Sequence, residues 1–290
     1  MVAVAIAHDP TSIEPAVERA LSHLPLEALV RDRVVAVKPN ETFATADDTS
    51  AVTQPDTLRA VLRVLSRFQP AQLIVSGGAG AAETEDVFRV AGLLDVTRQA
   101  GAEFFDHNRP PFTPVELTYA PQRDVDGPQR QVMVNPRVLE YQTLVSLAQL
   151  KLHDTATVTL TLKNIAMSLP AADYYGHPRS QEHHEHAFFD DMHSFIVAMA
   201  RRFPIHIGII AGHPAMIGTG PLGGHAVETG LVIASTDPVA ADVVGARLLG
   251  FGPQAVRHLW EAQRIGLGET TTERMEFPEL GVRQAIEIFS

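Results

Sequence analysis

Residues 144–164 read LVSLAQLKLHDTATVTLTLKN. The stretch opens as an apolar, strand-like run, then sets down Lys151, His153 and Asp154 within four residues. A hydroxyl ladder follows (Thr155, Thr157, Thr159, Thr161), and Lys163 and Asn164 close it. Two cations, an imidazole, a carboxylate and an amide at the end of a buried strand are costly for packing alone, because such groups must be paired or put to use. The stretch therefore marks both a central strand and a site. The run TVTLTLK alternates like a strand, yet it also suits a helix start with Asp154 or Thr155 as cap, and periodicity leaves both open.

Outward from this strand, short apolar runs alternate with helical patterns. Upstream, residues 2–7 read as a strand and 12–30 as a helix. Residues 34–37 form a strand that proline stops, which leaves Lys38 and Asn40 at its carboxyl end. Thr53, Pro55 and Asp56 give a helix start of capping-box type, followed by a core-facing stripe through Leu58, Val61, Leu62, Leu65 and Phe68. Residues 72–76 make the next strand, which runs into Gly77, Gly78, Ala79 and Gly80 before a helix around 84–94.

Downstream, residues 205–211 and 231–235 are strands, with the glycine-rich loop 218–224 between them. Asp237 and Pro238 then start a helix to about Leu249, and a last helix spans roughly 253–265. This alternation predicts an α/β fold, a mostly parallel mixed sheet with flanking helices. The proline-rich stretch 107–137 breaks the rhythm, as a β excursion or as the joint of two lobes of about 1–110 and 140–290.

The composition narrows the function. With 290 residues, 45% of them hydrophobic, the chain has ample core for such a sheet. A net charge of −11 argues against a nucleic-acid surface and against docking on anionic lipid. The absence of cysteine excludes disulfides, iron–sulfur clusters and a thiol nucleophile. No apolar run reaches the roughly 18 residues needed to span a bilayer, and the N-terminus lacks a signal peptide's basic start. These features suit a cytoplasmic protein that takes a small anionic molecule as partner, with self-association open.

The polar residues collect just after strands: Lys38 and Asn40, the glycines 77–80, Lys151 and His153, the loop 218–224, and Ser235 with Asp237. In a parallel sheet such clusters converge on one rim, where α/β proteins bind ligands. Lys38, Lys151 and Lys163 would neutralise an anion, with Asn40 and Asn164 orienting it. His153 would serve as acid/base group or metal ligand. Gly77 and Gly78, and Gly220 in the second glycine loop, suggest anion-cradling turns, and Asp237 joins them as a binding residue. Residues 177–193 hold five histidines. Of these His177, His183, His184 and His186 form a reserve for a divalent metal, although their spacing is not that of zinc hydrolases. On a helix, His183, His186, Asp190 and His193 would share one face. The leading expectation is an enzyme acting on a small carboxylate or phosphate with help from a metal. The alternative is a non-catalytic anion or metal-cofactor binding protein.

A family likeness rests on the same residues. Lys38-Pro39-Asn40, residues 149–153, Val158-Thr159 with Leu162-Lys163-Asn164, the loop 218–224 and Ser235-Thr236-Asp237 with Asp242 resemble the domain-of-unknown-function 362 family, over about residues 34–268. The family's activity is largely undefined. Its frequent ferredoxin-like cysteine motifs are missing here. A second likeness, to the N-terminal half of lactate racemase-type proteins, is carried by residues 47–55, the LIVSGGAG run and Phe105-Asp106-His107. It implies anion binding near Thr53 and proton transfer by histidine during inversion of a 2-hydroxy acid. The arginine typical of that motif is absent beside the threonine.

Overall fold

A computed structural model describes residues 1–119, 130–174 and 191–289. The elements run, in order, β1 (Val2–His8), α1 (Ile13–Ser22), α2 (Leu26–Val30), β2 (Val34–Pro39), α3 (Pro55–Ser66), β3 (Gln72–Gly77), α4 (Thr84–Val90), α5 (Leu93–Gln99), β4 (Glu103–Asp106), β5 (Thr113–Glu116) and β6 (Gln131–Val134). They continue with β7 (Thr143–His153), β8 (Thr157–Thr159), α6 (Thr161–Ala166), α7 (Met192–Arg202), β9 (Ile207–Ile217), β10 (His225–Val227), β11 (Leu231–Ser235), α8 (Pro238–Leu248), α9 (Arg257–Arg264), β12 (Met275–Glu276) and α10 (Val282–Phe289).

Among the described residues one ten-stranded sheet has the order β12-β1-β11-β9-β7-β2-β3-β4, with β8 paired to β7 and β10 to β9. From β4 through β3, β2 and β7 to β9 every pairing is parallel. The sheet is thus the mostly parallel mixed one that the alternation implies. β7 is its central strand. It is buried along nearly its whole length, which accounts for its near-continuous apolar reading. Successive residues feed opposite layers. Val35, Val37, Val145 and Leu147 pack under α1, α3, α4 and α5. Ala36, Leu144, Ala148 and Leu150 pack under α6, α7 and α8.

The halves 1–110 and 140–290 share this sheet, because β2 pairs with β7 and β1 with β11. The irregular stretch between them carries the small hairpin β5–β6. Several boundaries differ from the sequence reading for local reasons. The helix expected over 12–30 is interrupted before α2, whose N-cap is Pro25. Gly92, at φ 72°, separates α4 from α5. Residues 155–164 divide between the two: β8 returns beside β7, and α6 follows at once with Leu160, not Asp154 or Thr155, as its N-cap.

One difference bears on the site. β11 runs antiparallel to β9, with Ser235 opposite Gly208 near the start of β9, so Ser235 and Asp237 follow a strand whose carboxyl end points away from the rim that holds His153. Period-two hydrophobicity marks a strand without giving its direction, and here the direction removes one of the five clusters from the shared rim.

Candidate functional site

The carboxyl ends of β2, β3 and β7, with α6, enclose a cavity of about 40 Å³, room for a few waters or one small oxyanion. Its lining includes Lys38, Asn40, Glu41, Gly78, His153, Thr159, Lys163, Asn164, Ser168 and Pro221. Pro39 ends the ladder of β2 and Asn40 turns away from it. Asn40 is fixed by Thr53, whose hydroxyl accepts the Asn40 N–H at 2.8 Å and donates to the Leu147 carbonyl at 3.3 Å. Thr53 therefore braces Asn40 from behind. It does not line the cavity, nor does it cap α3, whose N-cap is Gln54.

The lysines are wired together through two amides. Lys38 Nζ lies 2.9 Å from Asn164 Oδ1 and 2.7 Å from Glu41 Oε2. Asn40 Nδ2 donates to the same Asn164 oxygen at 3.2 Å. Lys151 Nζ donates to Asn40 Oδ1 and to the Ala51 carbonyl, each at 2.9 Å. Asn164 Nδ2 in turn donates to the Lys38 carbonyl and to Ser146 Oγ. Asn40 and Asn164 thus spend their amides holding lysines.

All three ammonium groups are buried: Lys38 is 3% exposed, Lys151 0% and Lys163 6%. Burial, reinforced by Lys163 and Lys38 close by, pushes the Lys151 amine down to about 7. Burial also lowers the Lys38 amine, against the opposing pull of Glu41.

Lys163 and Asn164 sit on α6, and that short helix is anchored by Asp242. Its carboxylate accepts from Thr161 N and Oγ1 at 2.8 and 2.6 Å and from Leu162 N at 3.0 Å. Burial raises Asp242 to about 7, while these donors pull the other way.

His153 has a defined tautomer. Its Nδ1 accepts the backbone N–H groups of Thr155 and Ala156 at 3.1 and 3.2 Å. Asp154 Oδ1 lies 3.1 Å from the same nitrogen but takes the Thr155 N–H for itself at 2.7 Å, so the two acceptors share a donor. The neutral ring consequently carries its proton on Nε2 and acts as a donor.

The first glycine turn does cradle an anion, but an internal one. Gly78 N donates to Glu41 Oε1 at 2.9 Å, and Ala79 N donates to Thr84 Oγ1. A side chain on Gly78 would collide with His107, its Cβ falling 2.0 Å from Nε2, and Gly77 faces Phe88 and Thr84. Gly220 packs against the end of β7: its carbonyl accepts from Asp154 N, and a Cβ there would fall 1.9 Å from the Leu152 carbonyl oxygen. Gly220→Ala is expected to destabilise the fold by about 1–3 kcal/mol, visible as a lower denaturation midpoint, because backbone on both sides has to move.

Asp237 is the N-cap of α8, accepting from Ala240 N and also from Glu269 N. It caps α8 and is not among the residues that line this cavity. His177, His183, His184 and His186 lie outside the described residues. Among the described residues no group of three or more His, Asp or Glu side chains is arranged to hold a metal. The cavity lining itself fits a divalent ion poorly, since two ammonium groups flank it and its single described carboxylate is already engaged.

Sequence reasoning passed over Glu41 and Ser168, and named His107 only within the lactate racemase-type likeness. Glu41 is 1% exposed and receives Lys38, Gly78 N–H and the Ser168 hydroxyl. The available signal was its place three residues after Lys38. Thr159 belongs to the hydroxyl ladder, but that its buried Oγ1 has no hydrogen-bond partner among the described residues emerges only from the fold.

Residues 35–247 match the family model described as Domain of unknown function (DUF362). The chain belongs to the DUF362 family. The DUF362 match takes in every residue named above as lining the cavity, and Asp242, which anchors α6. The chain is also similar to the thylakoid-associated protein sll1697 of Synechocystis sp. (strain ATCC 27184 / PCC 6803 / Kazusa), with 28% identity over 148 residues, 50% of this chain and 44% of that protein. The chain therefore matches less than half the length of this curated relative. No helix among the described residues is long and apolar enough to cross a membrane.

Proposed function

We propose that the cavity binds a small anion, a carboxylate or a phosphate, and that the protein is an enzyme acting on it. One observation carries this reading: ammonium groups outnumber carboxylates around the cavity. Lys38 and Lys163 line it and Lys151 lies behind Asn40, whereas Glu41 is the one carboxylate among the described lining residues. Buried cations call for an anion or for loss of their protons. The orphaned Thr159 hydroxyl adds a donor at the wall. His153, with its proton on Nε2, suits a general acid or an oxyanion donor better than a general base.

Turnover separates the enzyme from the non-catalytic binder. Small phosphate monoesters and hydroxy acids are incubated with the protein and their products followed by NMR. The parent is expected to convert at least one of them, and His153→Gln to lose about 10²-fold or more of that rate. Binding without any conversion by the parent would favour the binder. The 2-hydroxy acid racemase reading has less support, because Thr53 is spent on Asn40 and Leu147. Metal assistance would need ligands from His177, His183, His184 and His186. Elemental analysis of untagged protein decides whether a divalent metal accompanies the chain. A cytoplasmic location is part of the proposal. The relative's name makes association with a membrane surface the competing placement, which cell fractionation distinguishes.

A further inference from the structure

A chain of hydrogen bonds leads from the cavity to the protein's edge through residues that the proposed function does not use. Glu41 Oε1 lies 3.2 Å from Ser168 Oγ. His107 Nε2 lies 3.1 Å from that hydroxyl and 2.8 Å from the Ser168 carbonyl oxygen. His107 Nδ1 lies 2.9 Å from Ser76 Oγ, which lies 2.8 Å from the Tyr141 hydroxyl. His107 is 0% exposed, Ser76 1% and Ser168 3%, whereas Tyr141 is partly exposed.

The chemistry of the partners fixes the direction of the chain. A carbonyl oxygen only accepts, so His107 carries its proton on Nε2 and its Nδ1 accepts from Ser76. Ser76 then accepts from the Tyr141 hydroxyl. Ser168 can donate to Glu41, the Gly78 carbonyl being its competing acceptor at 3.2 Å. Every donor on the path can therefore point inward, toward the carboxylate that holds Lys38.

We propose that Tyr141, Ser76, His107 and Ser168 form a buried proton path ending on Glu41, through which the cavity takes up a proton when a small oxyanion claims Lys38. The inference deepens the anion-binding reading and rests on it for its purpose. In the transfer the Tyr141 proton moves to Ser76 Oγ, the Ser76 proton to His107 Nδ1, the His107 Nε2 proton to Ser168 Oγ, and the Ser168 proton to Glu41 Oε1. Each bond broken is matched by one formed, and Tyr141 regains its proton from water. Glu41, once neutral, no longer cancels the Lys38 charge, which becomes available to the incoming anion. The outer end is flanked by Arg137, Glu103 and Glu140, whose charges act on Tyr141.

The test is ¹⁵N NMR of the histidine rings in the full chain. His107 is expected to show a protonated Nε2 and a bare Nδ1. Its Nε2 proton should exchange with water faster than the backbone amides of β3 beside it. Tyr141→Phe should slow that exchange by about tenfold or more, since a buried N–H without the path exchanges only through local opening. Ser76→Ala should do the same, and unchanged β3 amide protection shows that either variant is folded. The proposal is overturned if exchange is unaltered in Tyr141→Phe, or if in the parent it merely tracks the β3 amides. Binding of inorganic phosphate to the parent is measured separately. Its absence would end the anion reading, whereas the exchange result decides the path alone.

Discussion

Replacing Lys38 by alanine is expected to destabilise the protein by about 3–5 kcal/mol. Lys38 and Glu41 are both buried, and their charges meet at 2.7 Å. Removing the ammonium leaves the buried Glu41 carboxylate without its counter-charge. Gly78 N–H and the Ser168 hydroxyl remain to it, but both bind the other oxygen, Oε1. The Asn164 carbonyl oxygen loses its strongest donor at the same time. Adding Glu41→Gln to Lys38→Ala should recover a large part of the loss, since a neutral amide costs far less to bury than a lone carboxylate. Urea denaturation of the parent, the single variant and the double variant measures this. A double variant no more stable than Lys38→Ala would show that the pair is not the source of the effect.

The second large effect is a stability that rises with pH. Burial holds the Lys151 amine near 7 in the native state, whereas an unfolded lysine titrates near 10.4. Between those values the unfolded chain binds the extra proton, so raising the pH favours the native state. The gain begins near pH 7 and is complete near the unfolded value. On the order of 2 kcal/mol should appear between pH 7 and pH 9. Lys38 is shifted in the same direction and adds to it. Lys151→Met keeps most of the side chain's volume and removes the titrating group. Denaturation midpoints at the two pH values should therefore differ less in the variant than in the parent. Equal pH dependence in both would mean that Lys151 keeps an ordinary amine.

Much of this was legible in the sequence, and the part that was not has physical causes. The strands β2, β7 and β9 announce themselves because they are apolar on both faces and end at Lys38, His153 and a glycine loop. The helix start at Asp237-Pro238 was also legible, because a cap is a local device. The placement of Asp237 was not, because it depends on which way β11 runs in the sheet. The role of Glu41 was hidden for a similar reason. Its partners Gly78 and Ser168 are brought to it from β3 and from the end of α6, and nothing near residue 41 reveals them. The helix-or-strand ambiguity after His153 had a real basis, since the segment changes from β8 to α6 within two residues. The tautomer of His153 was unreadable because it is set by two backbone N–H groups of a turn.

In the proposed function the buried ammonium groups of this DUF362 chain form a receptor for a small oxyanion. Calorimetric titration of inorganic phosphate and of acetate into the parent, Lys38→Met and Lys163→Met proteins near pH 7 tests it most directly. Saturable one-site binding by the parent is expected for at least one of the two. Affinity should fall about tenfold or more in each variant and weaken as salt is raised. Binding that is absent from the parent, or equally tight after both lysines are replaced, would contradict it.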